Sequence, residues 1–189
     1  MKNVIAVACS IAALVAARPV HAADANKEAQ LQLGEHLVKA IGCSDCHTPK
    51  TMGPNGPEVD LSRFLSGHPA TPEVPPAPKP APGPWMITAT GDTTAWSGPW
   101  GTSFTRNLTP DKDTGLGKWT EQNFIDTMRS GRELGKGRAL LPPMPWQSFS
   151  NLTDDELKAI FAYLQTIPAI KNPVPEPIPP DAPPAPAQN

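Results

Sequence analysis

Cys43-Ser44-Asp45-Cys46-His47 is the stretch that decides how this chain folds. Its two thiols stand three residues apart, about one helical turn, and an imidazole follows directly. Three chemistries use such a pair. A redox disulfide of the C-x-x-C type belongs in a strand–helix context, which the flanking sequence lacks. A closed zinc site needs two further Cys or His ligands. Beyond residue 22 the chain offers only Cys43 and Cys46, and only His36 and His68 besides His47. The third chemistry is covalent attachment of haem. Thiols at this spacing reach the two vinyl groups of one porphyrin as thioethers, and His47 turns onto the iron as proximal ligand. The residues favour this third reading, with one haem c, since C-x-x-C-H occurs once.

Upstream of the motif, residues 26–41 place Leu33, Leu37 and Ile41 at fourfold spacing, and Gly42 follows as a stop. A first helix therefore presents the motif at its C-terminal end. A second helix is expected over residues 120–130, with Thr120 as cap, Phe124, Ile125 and Met128 on one face, and Gly131 as terminator. The third spans residues 153–167, where Thr153 and Glu156 form a capping box and Pro168 ends the run. Leu157, Ile160, Phe161 and Leu164 supply its apolar stripe. No strand pattern competes, so the expected fold class is all-α. Three short helices bury little for 189 residues, and a haem supplies the missing apolar core.

Composition explains the rest. The chain holds 26 prolines, well over twice the average usage of about 5 %. Residues 69–84 contain eight of them and residues 168–186 contain nine. Both stretches lack helical or alternating periodicity and read as extended polyproline II, the first an insertion and the second a tail over 169–189. The net charge of −2 and pI of about 6.1 exclude a nucleic-acid-binding footprint. At the N-terminus, Lys2, the apolar run Val4–Ala17 and the small residues near Ala22 describe a secretory signal over residues 1–22. The run is too short for a membrane span, so membrane association is at most peripheral. Cleavage removes Cys9, Lys2 and Arg18 and moves the formal charge from −2 to −4. The expected mature domain, residues 24–168, is exported to the periplasm.

An electron carrier needs the sixth iron position filled. His36 lies on the first helix, Met52 follows His47 too closely, and Met128 fits the stripe of its own helix, while Met86, just after the insertion, stays open. Met144 lies in Leu141-Pro142-Pro143-Met144-Pro145-Trp146, where flanking prolines restrict the backbone and leave little entropy to lose on ligation. Met144 is the expected axial ligand opposite His47, with His68 as the alternative. Methionine ligation raises the reduction potential.

With these residues in place the sequence resembles the class I cytochrome c superfamily, and most of all the cytochrome c domains associated with bacterial alcohol and sugar-acid dehydrogenases. The resemblance runs over Leu33–Pro49, Arg106–Gly131 and Leu140–Pro168. It implies thioethers at Cys43 and Cys46 and axial ligation by His47 and Met144. It also implies that the first and last helices cross, with Gly34 leaving room for Tyr163 or Phe161. The dehydrogenase subunits carry three haem motifs and this chain one, so a free-standing carrier is expected. It would take electrons from a periplasmic dehydrogenase and deliver them to a cytochrome or terminal oxidase of a respiratory chain, without being an enzyme itself. Two alternatives stand beside it: a haem enzyme or gas sensor with an open or labile sixth site, and a fixed haem subunit of a dehydrogenase complex. Asp111, Asp113 and Gly115 fail the register of a calcium loop, because Gln122 stands where a bidentate Glu is needed. Arg106 and Arg138 are candidates to pair with a haem propionate.

Overall fold

The computed structural model describes residues 22–78 and 84–180. The expected leader up to residue 21, including Cys9, residues 79–83 of the proline-rich insertion and residues 181–189 of the tail lie outside the described residues. Among the described residues five α-helices form in chain order: α1 (Ala22–Ala40), α2 (Cys43–His47), α3 (Glu121–Ser130), α4 (Trp146–Phe149) and α5 (Asp154–Leu164). α3 starts on a capping box in which Thr120 and Asn123 satisfy each other's backbone N–H groups, and it stops at Gly131, whose φ is 65°. α5 starts on the Thr153–Glu156 box. Each such cap is worth about 1 kcal/mol and fixes where the helix begins. α5 ends at Leu164, short of Pro168, as Thr166 Oγ1 turns back to donate to Tyr163 O at 2.7 Å.

α1 and α5 cross in close contact. A Cβ on Gly34 would lie 2.0 Å from Ala159 O and 2.8 Å from Tyr163 Cβ, so only glycine fits. The buried line of α1 therefore runs through Gly34 and Val38, with Leu37 and Ile41 beside it, while Leu33 is 40 % exposed. Leu65, Leu116, Phe124, Ile125, Met128, Leu157, Ile160, Phe161 and Leu164 complete the core with Val38, and the rings of Phe124 and Phe161 stand 5.6 Å apart.

The all-α expectation is corrected by two small antiparallel sheets. β1 (Lys50–Gly53) pairs with β2 (Gly56–Val59), and β3 (Thr88–Ala89), β4 (Ala95–Gly98) and β5 (Gly101–Phe104) form a three-stranded sheet in that order. Strands of two to four residues place at most two side chains on each face, too few to register as alternation. The turns carried the signal instead. Pro54-Asn55 closes β1–β2 between Gly53 and Gly56, and Pro99-Trp100 closes β4–β5 between Gly98 and Gly101.

The β3–β4 turn grips α2. Thr93 Oγ1 donates to Asp45 O at 2.7 Å, and Lys50 Nζ bonds both Asp45 O and Thr93 Oγ1 at 2.5 Å. Inside the turn, the Asp92 carboxylate accepts the hydroxyls of Thr90 (2.6 Å) and Thr94 (2.8 Å). Thr94 Oγ1 in turn accepts from His68 Nδ1 at 2.7 Å. Residues 169–180 form no helix or named strand and pack against the fold through hydrogen bonds, with a tight turn where Val174 N donates to Asn172 O at 2.9 Å. Asn172 Nδ2 donates to Ser66 O and His68 O at 2.7 and 2.8 Å, while Ile170 O accepts from Asn107 Nδ2 at 2.7 Å.

Two outcomes test this packing. Gly34→Ala, which drives a methyl into the α5 backbone, should cost about 3 kcal/mol in urea unfolding. Burial raises the Asp92 carboxyl, but the Thr90 and Thr94 hydrogen bonds outweigh it and hold the group below its ordinary value of 3.8. Its contribution is therefore complete above that value and lost as pH falls through the lower folded-state value. The urea midpoint of Asp92→Asn should lie below wild type at pH 7, and the gap should shrink as pH falls below the ordinary carboxylate range.

Candidate functional site

α1 and the motif helix meet at Gly42, whose φ of 74° suits a residue without a Cβ and lets the chain turn into α2. Lys39 O accepts from Gly42 N at 3.3 Å and Gly42 O from Asp45 N at 3.0 Å. α2 is the motif itself, so Cys43 and Cys46 stand one turn apart on it and His47 closes it. His47 O accepts from Gly67 N at 2.8 Å.

His47 Nδ1 donates to Arg106 O at 2.7 Å. That bond fixes the tautomer and leaves Nε2 with a free lone pair, the state that binds a metal. Burial pushes the His47 pKa down against the opposing pull of the Arg106 carbonyl, which keeps the ring neutral. Burial pushes the Cys43 thiol up to about 11. Cys46 is raised too, again by burial, with Lys50 opposing. Redox-active C-x-x-C thiols are shifted the other way, toward thiolate. Both cysteines are free, and no cluster of three or more His, Cys, Asp or Glu able to hold a metal ion forms among the described residues.

His47 opens onto a cavity of about 380 Å³, within the range of small-molecule and cofactor sites. Leu108, Leu116 and Phe124 give it an apolar wall, and Met144 lines it together with His47. The loop carrying Met144 is tied at two points just before the methionine. Leu140 N donates to Gly131 O at 2.8 Å, and Pro142 O accepts from Ser103 Oγ at 2.7 Å. Beyond the loop, Trp146 opens α4 with its ring against Gly131, where a Cβ would come within 2.3 Å of Cε2.

The other candidates fall elsewhere. His68 is buried against Phe104, with ring centroids 4.8 Å apart, and is not among the cavity-lining residues. Burial lowers its pKa, with the Asp92 charge opposing. His36 is exposed, Met52 is 79 % exposed and Met86 59 %. Met128 is buried on α3 and also lines the cavity, so two thioethers face the same space. Arg106 and Arg138 both line the cavity and share Glu133, at 3.9 and 3.8 Å. Asp111 builds a turn instead of a cation loop, its Oδ1 accepting from Thr114 N and Oγ1 at 2.7 Å. Sequence reasoning missed Ser103, one serine among many, because its partner lies 39 residues away.

Cys43 and Cys46 are not among the cavity-lining residues but stand on the same short helix as His47. Two thiols beside one imidazole with its lone pair free, with thioethers and apolar side chains around the cavity, fit haem c better than zinc, which prefers thiolates and imidazoles. No helix among the described residues is long and apolar enough to cross a membrane.

Comparison with known proteins agrees with that chemistry. Over 140 residues, 74 % of this chain, it is 29 % identical to the gluconate 2-dehydrogenase cytochrome c subunit of Pantoea cypripedii, covering 24 % of that protein. Over 133 residues, 70 % of the chain, it is 29 % identical to the fructose dehydrogenase cytochrome subunit of Gluconobacter japonicus, covering 20 % of it. Over 143 residues, 76 % of the chain, it is 25 % identical to the cytochrome c subunit of the quinone alcohol dehydrogenase of Gluconobacter oxydans, covering 22 % of it. The chain thus spans less than a quarter of the length of each of these relatives. The family model for cytochrome c matches residues 31–168, most of the sequence, and the chain belongs to the cytochrome c family.

Proposed function

We propose that the chain holds one haem c through thioethers from Cys43 and Cys46, with His47 and Met144 as axial ligands. We propose further that it works in the periplasm, passing single electrons from a dehydrogenase to a downstream cytochrome or oxidase. The observation that carries this reading is the placement of His47 and Met144 on one cavity, with His47 Nδ1 already engaged. When bound, haem c supplies a one-electron couple whose potential methionine ligation raises.

The chain's own residues do the rest. The Arg106 carbonyl holds the Nδ1 proton of His47 and so leaves Nε2 of this cavity-lining ring with its lone pair free. The Gly131 and Ser103 contacts hold the Met144 loop, so an electron comes and goes with little movement of either ligand. Leu108, Leu116 and Phe124 supply apolar surface to the cavity. The dehydrogenase as donor is supported by relatives named as cytochrome subunits of dehydrogenases, and export by the leader pattern at Lys2 and Val4–Ala17. The same relatives favour a second arrangement, a fixed haem-bearing part of a dehydrogenase complex. Co-purification in one stable complex decides for that arrangement over a free carrier.

Covalent attachment should survive denaturing electrophoresis as haem stain on the wild-type chain and be lost when Cys43 and Cys46 are both replaced by Ala. The oxidised protein should show a near-infrared sulfur-to-iron charge-transfer band that Met144→Ala abolishes and Met128→Ala keeps. A band lost in Met128→Ala instead would reassign the ligand. High-spin ferric iron in the wild type, with rapid carbon monoxide binding after reduction, would favour an open-site haem enzyme or sensor.

A further inference from the structure

The segment after α5 touches the supports of both proposed axial ligands. Ile178 exchanges two backbone hydrogen bonds with Thr102, from Thr102 N at 2.8 Å and to Thr102 O at 2.9 Å, and so adds a rung to the outer edge of β5. The approach is close enough that a Cβ on Gly101 would lie 2.1 Å from Ile178 O. Two residues earlier, Glu176 Oε1 accepts from Arg106 Nη1 at 3.2 Å, and Pro177 between them lines the cavity. Arg106 is the residue whose carbonyl orients His47.

On the other side, Ser103 follows Thr102 directly. Ser103 is 8 % exposed, its hydroxyl donates to Pro142 O at 2.7 Å, and it accepts from Trp100 Nε1 at 3.4 Å. Pro142 stands two residues before Met144. A chain of contacts therefore runs from Ile178 through β5 to the methionine loop. The Arg106–Glu176 pair is partly exposed and screened by solvent, so it sets position more than stability.

We propose that residues 176–178 and Ser103 act as a positioning strap, which holds the Pro142–Met144 loop on the cavity and sets how readily an external ligand displaces Met144. This rests on the ligand assignment above. Neither the strap nor Ser103 touches the iron in this account. They act through the loop they restrain.

The test uses the full haem-loaded chain in its ferric state. Ser103→Ala removes the donor to Pro142 O, and Ile178→Pro removes the donor to Thr102 O. Imidazole affinity is measured by optical titration, beside the sulfur-to-iron band and the melting temperature. Both variants should keep the band without imidazole and bind imidazole about fivefold more tightly than wild type, the worth of one net hydrogen bond. The double variant should fall short of the product of the single effects, because both act through β5. Ser103→Thr, which keeps the hydroxyl, should stay within about twofold of wild type. Unchanged imidazole affinity in a folded variant, even with a lowered melting temperature, would overturn the strap. If Ile178→Pro does not fold, Ser103→Ala decides alone. Absence of the band from the wild type is a different failure, that of Met144 ligation, and removes the strap with it.

Discussion

The hydrogen bond from His47 Nδ1 to Arg106 O ties together parts of the chain 59 residues apart, and the site depends on it. As a neutral N–H to carbonyl contact it contributes only about 1 kcal/mol to stability. Its larger effect is directional. It selects one tautomer, leaves the other nitrogen of this cavity-lining ring with its lone pair free, and ties the 103–109 segment to the motif helix. The same segment meets the tail at Glu176 and Ile170 and presents Ser103 to the methionine loop.

The small sheets take their meaning from this arrangement. Part of the cavity lining comes from outside the helices, from Ser103 and Phe104 of β5. The β3–β4 turn grips Asp45 O in the motif helix, and β5 holds Pro142 O. Asp92, ionised below its ordinary range, organises the turn through Thr90 and Thr94 and reaches the buried His68 through Thr94. His68, a candidate ligand on sequence grounds, is thereby committed to the scaffold.

What the sequence disclosed was local. The C-x-x-C-H motif, the Thr153–Glu156 box and the Gly131 stop each lie within a few residues, so their chemistry is legible without the fold. On α1 the fourfold apolar pattern points to Leu33, which is 40 % exposed, whereas the crossing with α5 runs through Gly34, as the family resemblance implies. The strands were too short for their alternation to show. The Ser103–Pro142 and Asn172–Ser66 contacts join residues 39 and 106 positions apart, and nothing in either segment alone marks them. High proline content reads at first as a warning against order. Here Pro142 carries the carbonyl that Ser103 holds, and Pro177 forms part of the cavity wall.

If His47 and Met144 ligate one haem iron, the proton NMR spectrum of the reduced, diamagnetic protein shows it, because a methionine methyl bound over a porphyrin face is shifted far upfield by the ring current. One such three-proton resonance is expected in the wild type and absent from Met144→Ala. A reduced wild-type spectrum without it, or one in which it survives that substitution, would rule out ligation by Met144.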